Sequence, residues 1–147
     1  MTTYLRNFFT TLFLGITSLA LAQSVEKTLV KPFPLETKTV SLDLAGTIEV
    51  KTWDSEVLRV QMTITLRNGS EAVLKSLISA GRYNLTAKVA NDQTIIMAPG
   101  MAREVQVGGK ALEDQVTFVI YTPKNAVVKL PSANSTSQNN TGSDSAL

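Results

Sequence analysis

Val57 to Leu66 reads VLRVQMTITL, and its strict alternation decides the fold. Leu58, Val60, Met62, Ile64 and Leu66 fall on one face; Arg59, Gln61, Thr63 and Thr65 fall on the other. Apolar residues at a period of two describe a strand with one face against a core. A helix would need them every three to four residues. The same pattern recurs on both sides. Upstream, Val40, Leu42 and Leu44 alternate with Thr39, Ser41 and Asp43. In Thr47 to Trp53, Ile48 and Val50 alternate with Glu49 and Lys51. Downstream, Tyr83, Leu85, Ala87 and Val89 alternate with Asn84, Thr86 and Lys88. Further strands are expected at Thr94 to Ala98, Glu104 to Val107 and Gln115 to Tyr121, with one more beginning in Ala126 to Leu130.

The segments between them are short and carry turn residues. These are Ala45-Gly46, Asp54-Ser55-Glu56, Asn91-Asp92, Pro99-Gly100 and Pro123-Lys124-Asn125. Gly108-Gly109-Lys110 reads as the connection between Glu104–Val107 and Gln115–Tyr121. Short links imply antiparallel neighbours. One segment breaks the period. Asn68-Gly69 ends the central strand, Ser70 suits an N-cap, and Glu71 suits the first helical turn. Val73, Leu74, Leu77 and Ile78 then fall at helical spacing, and Gly81 fits the stop. The expected fold is mainly β: an antiparallel, sandwich-like meander with one short helix at about residues 71–80 packed on it.

The ends of the chain differ from its middle. Residues 1–22, MTTYLRNFFTTLFLGITSLALA, combine Arg6, an apolar run from Phe8 to Leu19 and an Ala20-Leu21-Ala22 end. That is the layout of a cleaved secretory signal. The apolar run is shorter than the roughly 20 residues a bilayer span needs. Gln23 is therefore the expected mature N-terminus, with no integral membrane span after cleavage and a periplasmic or secreted location. Residues 23–36 read as a lead-in, because Pro32 and Pro34 around Phe33 are expected to prevent regular structure. Residues 37–130 form the β-rich domain. Residues 131–147 contain SANSTSQNNTGSDSAL, a polar stretch expected to be disordered.

Composition narrows the chemistry. The chain has no His and no Cys. The commonest general base, the commonest transition-metal ligand and the thiol nucleophile are all missing. There are 14 Lys and Arg against 12 Asp and Glu, and Arg6 leaves with the signal. The charges are interspersed, which argues against a nucleic-acid surface. Glu113-Asp114 is the only adjacent carboxylate pair, and no calcium loop surrounds it. Lys75, Ser76 and Ser79 read as a solvated helix face and not as a Ser-Lys dyad. No catalytic residue, metal or cofactor is expected.

Two segments carry a resemblance. Within Val40 to Ile64, the run SLDLAGTIEVKTWDSEVLRVQMTI resembles the opening of a bacterial exported family named for putative adhesins and related to head GIN-domain proteins. Val116 to Val128, VTFVIYTPKNAVV, resembles that family's strand ending in a Pro turn. The resemblance implies strands that lead into a β-solenoid of short repeats. Here a polar tail stands in that place, so it implies a short or truncated member. It implies no catalytic residue and no cofactor.

Five residues are candidates for contact with a partner. Trp53 is the only Trp and faces away from Ile48 and Val50. It reads first as a cover for the core edge and second as an exposed aromatic on a recognition face, with Tyr83 and Tyr121 as companions. Val127 and Val128 sit on the last expected strand, whose edge offers unpaired backbone groups. The expected function is a non-enzymatic binding or interaction module of the bacterial envelope, with an envelope protein or glycan as partner and weak homodimerisation through that edge. The alternative is a periplasmic carrier holding an apolar ligand between the helix and Leu58, Val60, Met62 and Ile64.

Overall fold

The computed structural model describes residues 24–131. The expected signal segment 1–22 and the expected polar tail beyond Pro131 lie outside them. The described residues form ten strands, one α-helix and a short 3-10 helix at Pro99–Ala102: β1 Val25–Pro34, β2 Thr39–Asp43, β3 Thr47–Trp53, β4 Val57–Leu66, α1 Glu71–Ser79, β5 Thr86–Ala90, β6 Gln93–Met97, β7 Gln106–Val107, β8 Lys110–Ala111, β9 Asp114–Pro123 and β10 Val127–Lys129. They form two four-stranded sheets, ordered β1-β4-β9-β3 and β10-β2-β6-β5, and a small β7-β8 hairpin.

The core lies where the alternation placed it. Val60, Met62 and Ile64 of β4 are fully buried. They share one apolar cluster with Phe118 and Ile120 of β9, Val40 and Leu42 of β2, Ile96 of β6 and Leu74 of α1. Both sheets contribute their inward faces, which makes a sandwich. Each such side chain contributes about 1.5–3 kcal/mol by leaving water. Helix α1 starts and stops as its sequence specifies. The Ser70 hydroxyl accepts from the Val73 N–H at 3.3 Å. At the other end, Gly81 adopts φ +77°. Its N–H donates to the Ile78 carbonyl and that of Arg82 to the Leu77 carbonyl, closing a Schellman motif.

The sheets are mixed and not a simple meander. Strand β3 runs parallel to β9, and β2 runs parallel to both β6 and β10. The short links mislead because two of them join strands that do not pair. Ala45-Gly46 carries the chain from β2 in one sheet to β3 in the other. Gly46 sits there at φ +148°, and a Cβ on it would collide with the Val116 carbonyl oxygen. Asp54 to Glu56 arches from β3 to β4 over the end of β9, which lies between them. Pro123, the last residue of β9, is buried at that end. The β5-β6 link does behave as a hairpin: Asn91 and Asp92 both have positive φ, as a type I′ turn requires.

Three local expectations are corrected. The lead-in is a ten-residue strand, β1, paired along its length with β4. As an edge strand it needs N–H groups on one side only. Prolines two residues apart withhold theirs from one and the same side, so Pro32 and Pro34 are tolerated. Gly108-Gly109 joins β7 to β8, not to β9. Tyr83 to Leu85 is not strand; β5 begins at Thr86, after the turn that leaves the helix.

Candidate functional site

The outward face of the β1-β4-β9-β3 sheet carries the chemistry. Register places Pro32 opposite Arg59, Arg59 opposite Tyr121, and Tyr121 opposite Lys51, in one row across four strands. The neighbouring row is Val30, Gln61, Val119 and Glu49. The next is four threonines, Thr28, Thr63, Thr117 and Thr47, of which the first two meet hydroxyl to hydroxyl at 3.1 Å. Trp53 stands two residues beyond Lys51 at the end of β3. Its indole Nε1 donates to the Val57 carbonyl at 3.0 Å across the arch, which fixes the ring.

Trp53 and Tyr121 are brought together, with ring centroids 5.7 Å apart and planes at 48°. The alternation puts Arg59 on this face, and nothing in the sequence marks it as a site residue. Its guanidinium carbon lies 4.5 Å from the Trp53 centroid and 4.2 Å from the Tyr121 centroid. Each contact is worth about 0.5–2 kcal/mol, more as water is excluded. The Arg59 Nε is shut off from water and has no hydrogen-bond partner. A buried donor left in that state costs on the order of 1–3 kcal/mol. Among the described residues no carboxylate lies within 4 Å of Arg59; the nearby lysines are engaged instead, Lys51 with Glu49 at 3.2 Å and Lys124 with Asp54 at 2.6 Å. The register that stacks Arg59 on two rings depends on β9 inserting beside β4, and no local pattern in the sequence announces that insertion.

Tyr83 does not join this group. It is 3% exposed, in the core. Its hydroxyl donates to Asp114 Oδ2 at 2.8 Å, at the opposite end of β9 from Tyr121. Arg82 grips the same carboxylate with two bonds, Nε to Oδ2 at 3.0 Å and Nη2 to Oδ1 at 3.3 Å, and donates from Nη1 to the Arg103 carbonyl at 2.7 Å. Burial, then the hydrogen bond to Asp114, push the Tyr83 hydroxyl up to about 12. Burial opposes the Arg82 charge, but the Asp114 carboxylate more than offsets it and holds the guanidinium above its ordinary range. Arg82 and Asp114, but not Tyr83, form part of the wall of a half-open cleft of about 500 Å³ with Gly46, Ile48 and Met101. Both oxygens of the carboxylate are engaged, so the cluster clamps the helix exit to β9.

Val127 and Val128 lie on β10, an edge of the second sheet. The Val127 side chain is 61% exposed, while Val128 packs half-buried against the core. The space proposed for an apolar ligand is occupied by protein: Leu58, Val60, Met62 and Ile64 are fully buried and share one cluster with Leu74. An open apolar groove of about 540 Å³ runs instead between α1 and β7, lined by Val73, Leu77, Val105 and Val107 among others. Among the described residues no group of three or more acidic side chains is placed to hold a metal ion. No helix among them is long and apolar enough to cross a membrane.

No family model matches the chain, and no curated protein matches it. Among solved structures it is similar to the crystal structure of a putative adhesin from Bacteroides fragilis, at 9% identity and a TM-score of 0.38. The match covers 71% of this chain and 39% of that one, so the chain spans well under half the length of the protein it resembles.

Proposed function

We propose that the domain is a non-enzymatic recognition module of the exported envelope, and that it engages its partner on the open face of the β1-β4-β9-β3 sheet at Trp53, Arg59 and Tyr121. One observation carries this. Two aromatic rings and a guanidinium with no carboxylate partner are held together on the half-exposed side of a sheet whose other side is sealed core. Aromatic and Arg side chains fixed in this way supply contact area at low entropic cost. Catalysis has little to work with: there is no His or Cys, and the Arg82, Tyr83 and Asp114 groups are committed to one another. We place a second contact at the free edge of β10, through which a copy of this chain or another envelope protein adds a strand.

The experiment uses the protein's single Trp as its reporter. Envelope glycan and protein fractions are titrated into the mature chain while Trp53 emission is followed. A saturable change is expected, lost in Tyr121→Ala. A fraction that binds by calorimetry yet leaves the emission unmoved, and binds Trp53→Ala equally well, would place recognition elsewhere.

A further inference from the structure

We infer that the Trp53–Arg59–Tyr121 stack takes a carboxylated polysaccharide, with the Arg59 guanidinium gripping the carboxylate and the two rings receiving sugar faces. This rests on the recognition role proposed above and names the ligand class of that same site. A guanidinium presents five N–H donors in a planar fork. Arg67 and Arg82 spend theirs on Gln115 and Asp114. No carboxylate lies within 4 Å of Arg59 among the described residues, and because its Nε is sealed from water and unpartnered, the two Nη groups are the donors left for a ligand. Of the acids on β3 and its arch, Glu49 is paired with Lys51 and Asp54 with Lys124, while Glu56 forms no ion pair among the described residues and does not come within 4 Å of Arg59. Arg59 is thus a fixed positive charge whose natural complement comes from outside.

The geometry selects the partner further. The fork matches the two oxygens of a carboxylate, and one guanidinium balances one negative charge. Stacking on two rings has already cost Arg59 its side-chain freedom, so a ligand finds it preorganised. Trp53 and Tyr121 are each half-buried, so part of each amphipathic side chain stays open beside the guanidinium for the C–H face of a pyranose. The surrounding face offers hydroxyls and an amide, from Thr63, Thr117 and Gln61, flush with the sheet. The row from Pro32 to Lys51 spans three strand gaps, about 14 Å, which is a track longer than one sugar ring. The backbone of the two central strands is fully paired there, so a peptide finds no ladder to extend on this face.

The test titrates the full mature chain with polygalacturonate, its carboxyl-reduced neutral form, dextran sulfate and poly-glutamate, following Trp53 emission and heat. Polygalacturonate is expected to bind at least about tenfold more tightly than the reduced polymer, the worth of one charge-assisted contact. Arg59→Gln is expected to lose that margin and Arg59→Lys most of it, since an ammonium keeps the charge but not the fork. If Arg59→Gln does not unfold cooperatively, Arg59→Lys and the reduced polymer decide. Equal binding of acidic and reduced polymers would overturn the carboxylate assignment while leaving ring-based recognition intact. Preference for dextran sulfate or poly-glutamate would overturn the ligand class. Silence from the whole panel would overturn this inference, and the envelope-fraction titration would still decide the recognition role separately.

Discussion

Asp114 holds more of the fold than its place beside Glu113 suggests. Arg82 and Tyr83 both bond to it, and the Arg82 and Asp114 side chains are 10% and 12% exposed. Asp114→Asn removes the charge and leaves a guanidinium facing a neutral amide in a dry setting. Breaking such a pair from one side costs about 3 kcal/mol, which urea unfolding at pH 7 would read as a lowered midpoint. The neighbouring tyrosine adds a pH signature. Burial and the hydrogen bond to Asp114 raise its pKa from the ordinary tyrosine value of 10.0 to about 12, so the folded protein holds the proton more tightly than the unfolded chain. That stability is fully present below about pH 10 and drains away as pH rises toward about 12. Unfolding midpoints measured from pH 9 to pH 11.5 are expected to fall steeply in the parent chain. Tyr83→Phe starts lower and is expected to lose this share of the slope. A parallel fall in both would show that other groups govern the alkaline limb. At this scale the sequence was half legible. Trp53 and Tyr121 stand out by residue type, and the structure joins them. Tyr83 stands out equally and is buried, because residue type cannot tell an aromatic on a face from one whose hydroxyl has found a carboxylate 31 positions away.

Elements were more legible than their pairing. Strand β4 and helix α1 fall where their periods put them, and the Ser70 cap and Gly81 stop mark the helix ends. Strand β1 is not legible in the sequence, because Pro32 and Pro34 read as breakers anywhere but at the edge of a sheet, where the fold places them. The edge strand β10 gives the clearest element-scale test. The Val127 N–H donates to the Lys38 carbonyl at 2.8 Å, toward β2. Backbone groups alternate sides along a strand, so the Val128 N–H faces the free side. Val128→Pro therefore removes a donor from the open edge and spares the bond to β2. Sedimentation of the parent chain at high micromolar concentration is expected to show weak association, and Val128→Pro to remain monomeric. A parent chain that stays monomeric and captures no strand-donating partner would rule the edge contact out. Lys129 at the strand and Pro131 just beyond it keep such contacts limited, as edge charges and prolines do elsewhere.

For the whole molecule, fold class follows from the period-two pattern, and topology does not. The alternation of Leu58 to Leu66 and of Val116 to Ile120 assigns their inner faces whichever strands they join. Nothing local reveals that β9 slots between β3 and β4, because that choice rests on contacts between residues some seventy positions apart in sequence. Yet this insertion builds the site: it sets Tyr121 between Arg59 and Lys51 and lets the β3–β4 arch hold Trp53 over the end of the sheet. The proposed recognition face is thus a product of topology, which joins Trp53 and Tyr121, both marked by residue type, to Arg59, which the sequence leaves unmarked.

The most direct test is a nuclear magnetic resonance titration of the isotope-labelled mature chain with the strongest ligand found by Trp53 emission. Shifts are expected to centre on the Trp53 indole N–H, the Arg59 Nε–H and the Tyr121 amide, fading toward the threonine row. An unmoved indole, with shifts gathered at Val127 to Lys129 or in the groove between α1 and β7, would contradict recognition on this face.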